Sequence, residues 1–401
     1  MGIIVQKYGG SSVATPDKLK AVARRVVETC DEGHRVVVVV SAMGNTTNEL
    51  LALAQSVSPN PQRRELDMLV TVGERISMAL LSMAIHDLGR PAVSFTGSQS
   101  GIITTDNHAN ARIIRVTPTR IRDALHVGKI VIVAGFQGVS ERREITSLGR
   151  GGSDTTAVAL AAALNAEYAE ICSDVDGVYS ADPRTVANAT RIDQMSYEEM
   201  QSLADGGAKV VHAEAVEWAR RNRIDLRCTA TAGARARGTH IHGDEGALNH
   251  PRVVGVTRFQ RLFVIEPAVS GQPPPEALSE TLVAHGALSS AFWRMPQGWL
   301  CYVPTDNVHG TDAFRAAIEA LPGVQIREDH TAVSIVGRAL SAPPGLAAQA
   351  SRILSKNGID AYAQWLGPSR LTFLVLERNA DRAVAVFHKA FIDENEGTSS
   401  D

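Results

Sequence analysis

The chain has 401 residues, of which 44% are apolar and 21% charged, with a formal net charge of −3. That length exceeds one core and predicts two or three domains of roughly 100 to 250 residues. The near balance of charge excludes the basic face of a nucleic-acid binder and gives no attraction to an anionic membrane surface, so neither partner is expected.

In chain order, the apolar run Ile3-Ile4-Val5 predicts a buried strand, followed by Q-K-Y-G-G-S-S-V-A-T-P-D from Gln6 to Asp17. A glycine pair after a strand lets backbone N–H groups approach a phosphate. The lysine precedes the glycines, so this is not a Walker A loop, and no G-x-x-x-x-G-K-[ST] occurs in the chain. Thr15 suits an N-cap, Pro16 the first helical position and Asp17 the positive end of the helix dipole, which predicts a helix to about Cys30. Val36 to Val40, Lys129 to Ala134 and Tyr168 to Cys172 are continuous apolar runs, as expected of parallel strands covered on both faces. An alanine-rich helix, Thr155 to Asn165, follows L-G-R-G-G-S-D. The first 245 residues therefore read as an α/β domain, an αβα sandwich on a largely parallel sheet.

After about His250 the text breaks into shorter units at Pro251, at Gly271 to Pro275 (G-Q-P-P-P) and at Pro343 to Gly345. A smaller α+β region is expected there. Residues 331–393 read as strand (Ala332 to Gly337), helix (Leu346 to Asn357), strand (Arg370 to Leu376) and helix (Asp381 to Phe391). Residues 253–327 repeat that plan loosely, and the polar tail 394–401 is expected to be disordered. The four cysteines, Cys30, Cys172, Cys228 and Cys301, form no C-x-x-C pair, which argues against a zinc site or disulfide framework and for a reducing, cytoplasmic setting. No stretch approaches the roughly 20 apolar residues of a membrane span and no signal pattern opens the chain, so a soluble, unprocessed protein is expected.

Four glycine-rich or polar clusters stand out: Lys7 to Ser12, Ser41 to Thr47 (S-A-M-G-N-T-T), Leu148 to Thr156 (L-G-R-G-G-S-D-T-T) and Ser173 to Arg184 (S-D-V-D-G-V-Y-S-A-D-P-R). Three directly follow strand signals, and loops at the carboxyl ends of parallel strands are where such a sheet builds its site. A single glycine-rich turn is more often only a turn; four in one domain point to a ligand.

With G-E-R-I-S (Gly73 to Ser77), S-F-T-G-S-Q-S-G (Ser94 to Gly101) and G-F-Q-G (Gly135 to Gly138), these segments resemble the aspartate kinases of the amino-acid kinase family over residues 1 to about 245. The resemblance implies transfer of the γ-phosphoryl group of ATP to the side-chain carboxylate of L-aspartate. It also implies an ACT-like carboxyl-terminal half that joins two copies of the chain. Such a transfer needs charge neutralisation and in-line placement more than covalent help. Lys7 is the cation for the phosphates, with Tyr8, Gly9, Gly10 and Ser11 around them. By resemblance, Glu74 holds the α-ammonium of the acceptor and Arg150 its α-carboxylate, a task suited to a planar guanidinium. Ser41, Thr47, Gly151, Gly152 and Ser153 assist, and Asp154 positions Lys7 and the phosphoryl group, in addition to the plain N-cap role its place suggests. Nucleotide binding falls by resemblance to Ser173, Asp174, Tyr179, Ser180, Asp182, Pro183, Arg184, Lys209 and Val210. No dedicated metal cage is expected; Mg²⁺ arrives with ATP and keeps most of its waters.

The text departs from the family in places. After G-A-K comes V-V-H-A-E-A-V-E, with Glu214 where an arginine is common. The first ACT-like unit carries F-V-I-E-P-A-V-S-G-Q-P-P-P-E (Phe263 to Glu276) where the family has a D-x-P-G turn, and W-L-G-P-S-R-L (Trp365 to Leu371) stands where a strand of the second is expected. Weakened feedback by lysine or threonine follows as an expectation. The rival readings are a kinase of another acidic amino acid and a non-catalytic ACT-bearing sensor.

Overall fold

The computed structural model describes residues 2–232, 237–243, 252–287, 291–295, 298–308, 310–341 and 345–394. Pro251, Pro343, Pro344 and the tail from 395 onward lie outside them. The chain forms two compact units, one of Met1–Val178, Arg191–Gln201 and Lys209–Glu245, the other of Tyr179–Thr190, Ser202–Ala208 and Gly246–Asp401.

The first unit is built on an eight-stranded sheet. Its order is Gln194–Ser196, Gly238–His242, Leu226–Ala230, Tyr168–Ser173, Ile3–Tyr8, Arg35–Val40, Ile130–Ala134 and Ala92–Phe95. Every neighbouring pair is parallel except Leu226–Ala230 with Gly238–His242. The valine run is central, and Val36 to Val40 are each at most 1% exposed because both faces are covered. Val36, Val38 and Val40 pack with Leu19, Val22, Leu81 and Ile85 from the helices Pro16–Asp31 and Val72–Asp87. The helix Gly152–Leu164 covers the strands Ile3–Tyr8, Arg35–Val40 and Tyr168–Ser173.

Thr15 caps the first helix as its sequence predicts, accepting the Lys18 N–H at 3.3 Å. The alanine-rich helix differs from expectation: it begins at Gly152, so Ser153 and Asp154 lie in its first turn and Gly151 is the cap. Arg63–Asp87 is a helical stretch with the length and composition of a membrane span, which the sequence reading did not anticipate. Half of its apolar window is buried inside the protein.

The second unit holds two antiparallel sheets of four strands. One runs Ala291–Met295, Gly298–Pro304, Leu262–Pro267, Val324–Arg327; the other runs Arg252–Arg258, His330–Arg338, Arg370–Leu376, Ala361–Leu366. Leu262, Val264, Leu300 and Tyr302 of the first sheet and Ala332, Ala363 and Leu374 of the second form one cluster, so the sheets pack face to face. The helices Ala277–Ala284 and Thr311–Glu319 cover the first sheet, and Leu346–Lys356 and Ala380–His388 the second.

Three expectations change here. The block 253–327, expected as a loose repeat, is a complete strand-helix-strand-strand-helix-strand module over Leu262–Arg327. Its leading strand, Arg252–Arg258, pairs instead with His330–Arg338 of the other sheet. The stretch Trp365 to Leu371 is not one strand: Gly367, Pro368 and Ser369 turn the chain between Ala361–Leu366 and Arg370–Leu376, where Gly367 N–H donates to Arg370 O at 2.8 Å.

Candidate active site

In the first unit, the carboxyl ends of Ile3–Tyr8 and Arg35–Val40 release two loops that touch. Ser41 N–H donates to Tyr8 O at 3.1 Å and Gly44 N–H to Gly10 O at 3.0 Å. A Cβ on Gly10 would lie 2.8 Å from Ala42 O, so only glycine allows this approach. Gly10 to Val13 then form a short 3₁₀ turn, and the Ser12 and Thr231 hydroxyls meet at 2.6 Å.

Lys7 lies within its strand rather than in the loop after it. Its Nζ is 2.7 Å from Asp154 Oδ1, with the two side chains only 14% and 9% exposed. The other oxygen of Asp154 accepts the His212 N–H at 3.2 Å. Asp154 is therefore not the N-cap that its position after the glycines suggested. Its carboxylate leaves the helix end to fix the lysine and the segment carrying Lys209 and Val210. Gly151, at φ 68°, holds the left-handed conformation, and a Cβ there would lie 2.1 Å from the His212 ring. Arg150 beside it is exposed.

Glu74 sits in the first turn of Val72–Asp87 and is 3% exposed. Its Oε1 accepts the Ala42 N–H at 3.1 Å, while Oε2 has no hydrogen-bond partner among the described residues. Burial pushes its carboxyl up to about 7, against the opposing pull of backbone N–H groups. A buried carboxylate oxygen with no partner is a ready seat for a cation, because pairing removes the cost of burying it alone. Thr47 is in the first turn of the helix Thr46–Val57, and Ser41 directly follows the strand Arg35–Val40.

Of the residues expected at the nucleotide, Ser173 ends the strand Tyr168–Ser173, its hydroxyl turned back on Val175 O at 3.2 Å, and Asp174 beside it is exposed. Both belong to the first unit, as do Lys209 and Val210, whereas Tyr179, Ser180, Asp182, Pro183 and Arg184 belong to the second. Asp182 grips Arg184 through Nε at 3.0 Å and an NH2 contact at 2.7 Å. That pairing, more than any other influence, holds the Asp182 carboxyl below the usual carboxylate range.

The sequence reading missed the groups that hold these residues in place. Arg25 donates to Glu170 at 2.8 Å and to Thr231 O at 3.1 Å, both beneath the strand that carries Lys7. Gln6 donates to the same carboxylate at 2.7 Å. His212 had a visible signal in G-A-K-V-V-H. Arg25 had none, since its partner lies far along the chain. Glu214, the departure from the family text, lies in the first turn of Ala213–Asn222, and burial raises its carboxyl despite nearby His212 and Arg112.

Comparison with known proteins identifies the family. The model of the amino acid kinase family matches residues 2–230. An aspartokinase from Mycolicibacterium smegmatis is 42% identical over 411 residues, covering 98% of this chain and 96% of the relative. One from Corynebacterium glutamicum is 42% identical over 406 residues with the same coverage. Among solved structures, E. coli aspartokinase III in complex with aspartate and ADP superposes with a TM-score of 0.84 at 24% identity. That match covers 96% of this chain and 99% of the other, and at that identity it speaks to the fold. Aspartate kinase from Synechocystis matches with a TM-score of 0.56 at 33% identity, over 97% of this chain and 69% of its own.

Proposed function

Because the chain belongs to the amino acid kinase family, we propose that it is an aspartokinase, transferring the γ-phosphoryl group of ATP to the side-chain carboxylate of L-aspartate to give 4-phospho-L-aspartate and ADP. The observation that carries this reading is Glu74, a buried carboxylate with one oxygen unpaired, in the same unit as the Lys7–Asp154 pair.

In this reading the unpaired Oε2 of Glu74 receives the α-ammonium of aspartate, and Arg150 takes the α-carboxylate in a bidentate contact. Ser41, Thr47, Gly151, Gly152 and Ser153 complete the acceptor site, leaving the side-chain carboxylate as nucleophile. Lys7 neutralises charge on the phosphoryl group in flight, and Asp154 holds its ammonium in place. Backbone N–H groups from Gly9 to Ser11 face the phosphates, and ATP brings Mg²⁺ with it. Ser173, Asp174, Tyr179, Asp182, Pro183, Arg184, Lys209 and Val210 receive the nucleotide, while Ser180, 2% exposed, supports that segment from within.

The second unit reads as two ACT-like modules through which two copies of the chain associate. Phe292 and Trp365, 51% and 40% exposed on the edge strands Ala291–Met295 and Ala361–Leu366, support that. A coupled assay of ADP release over a panel of amino acids tests the assignment. L-aspartate is expected to give the highest kcat/KM, and a preference for another acid, or no turnover, would overturn it.

A further inference from the structure

The second unit places a buried serine and a buried histidine beside a half-buried aspartate. Ser180 Oγ is 2.8 Å from His388 Nε2, and His388 Nδ1 is 3.2 Å from Asp393 Oδ1. Ser180 is 2% and His388 0% exposed, which leaves no room for a substrate and rules out a hydrolytic role. Ser180 Oγ accepts the Thr190 N–H at 2.9 Å and the Thr190 hydroxyl at 3.4 Å, so its own proton goes to Nε2. The ring proton then sits on Nδ1, which lies near Asp393 without hydrogen-bonding to it.

Around this line, other contacts hold the segment that carries Ser180. Asn188 donates to Asp393 Oδ2 at 2.8 Å, and Val256 N–H donates to Ser180 O at 2.7 Å. Ala181 and Val186 are buried in one cluster with Val384, Phe387 and Phe391. The stretch Tyr179–Thr190, which joins the short strands Val178–Tyr179 and Arg191–Ile192, is thus held by the strand Arg252–Arg258, the helix Ala380–His388 and the π-helical turn Lys389–Asp393 after it.

We propose that His388 is a positioning residue for nucleotide binding: through Ser180 it fixes the conformation of the Tyr179–Arg184 segment, so the last helix of the chain sets the affinity for ATP. This rests on the reading of Tyr179 to Arg184 as nucleotide-binding. A loop held in its binding conformation binds without first being ordered, and loosening it lowers affinity by the fraction of time it is misplaced.

Steady-state kinetics of the full-length chain test the assignment. His388→Leu keeps apolar volume among Phe387 and Phe391 but removes both nitrogens. It is expected to raise KM for ATP about tenfold while KM for aspartate stays within about twofold, and His388→Gln, which restores a polar partner for Ser180, is expected to recover most of the loss. A merely structural role would instead lower folded protein and kcat with both KM values unmoved, which would overturn the proposal. Should His388→Leu fail to fold, Asn188→Ala releases the same turn from the outside, with an expected rise in KM for ATP of about threefold; no rise overturns the proposal. Arg184→Ala, run in parallel, separates the two layers. If it raises KM for ATP and His388→Leu does not, the positioning role alone falls. If Arg184→Ala leaves KM for ATP unchanged, the nucleotide reading of the segment falls and takes the positioning role with it.

Discussion

Lys7 and Asp154 meet at 2.7 Å, one at the end of the first strand and the other in the first turn of a helix far along the chain. The aspartate fixes where the ammonium points before any substrate arrives, which is the condition for electrostatic stabilisation without reorganisation. Lys7→Ala is expected to lower kcat about a hundredfold or more, since one such group contributes on the order of 3 kcal/mol, with much smaller changes in either KM. Near-native kcat in the variant would remove Lys7 from the chemistry.

A change at Glu74 is expected to separate acceptor binding from chemistry. Glu74→Gln keeps the shape and loses the charge, so KM for aspartate is expected to rise about tenfold to a hundredfold, the worth of a charge-assisted bond of roughly 1.5 to 3 kcal/mol. KM for ATP should hold. If the variant changed only thermal stability, Glu74 would be a structural carboxylate.

The same residue predicts a pH dependence. Its folded carboxyl titrates near 7, above the ordinary 4.5, so the stability it contributes is fully present below pH 4.5 and lost as pH rises through about 7. A shift of that size is worth about 3 kcal/mol in the ligand-free enzyme. Thermal unfolding of Glu74→Gln against the native chain should therefore show the variant gaining relative stability between about pH 5 and pH 8, with saturating aspartate closing the gap. A difference that does not vary with pH would contradict the buried, cation-seeking carboxylate.

Feedback is expected to be weak. An amino-acid effector needs backbone donors for its carboxylate, and the turn after Leu262–Pro267 contains Pro273, Pro274 and Pro275, which have none. Ala268 N–H is already given to Gly323 O and Gln272 N–H to Val269 O. Lysine plus threonine at about 1 mM should leave activity almost unchanged; loss of more than half would show a working effector site.

The central strands and the first helix were legible because valine runs and the Thr15-Pro16-Asp17 cap act locally. Lys7, Glu74 and Asp154 were legible as a set through family text, yet not as geometry. Nothing in the sequence announced that Asp154 leaves its cap for Lys7, or that Arg25 and Glu170 pair beside the strand that carries Lys7, since both contacts join distant segments. The hairpin at Gly367 and Pro368 was misread because the two residues looked like flaws in a strand rather than its end. The plan of Leu262–Arg327 was faint because its apolar pattern is interrupted by proline and polar text that the fold places in turns.

The pairing of Arg252–Arg258 with His330–Arg338 has a consequence for how this protein can be cut. The module Leu262–Arg327 is a passenger between two adjacent strands of its neighbour: Phe259 N–H donates to Ala332 O at 3.1 Å, and the Thr331 hydroxyl returns a bond to Phe259 O at 2.9 Å. Entry and exit of the passenger are thus side by side, the geometry in which domain insertion is tolerated. A chain ended after Arg327 would strand Arg252–Arg258 without a partner and expose the face that Ala332 and Leu374 cover. Excision of the passenger, with Phe259 joined to His330 by a short turn, would leave every ladder of the host sheet intact while uncovering its face at Ala332, Ala363 and Leu374.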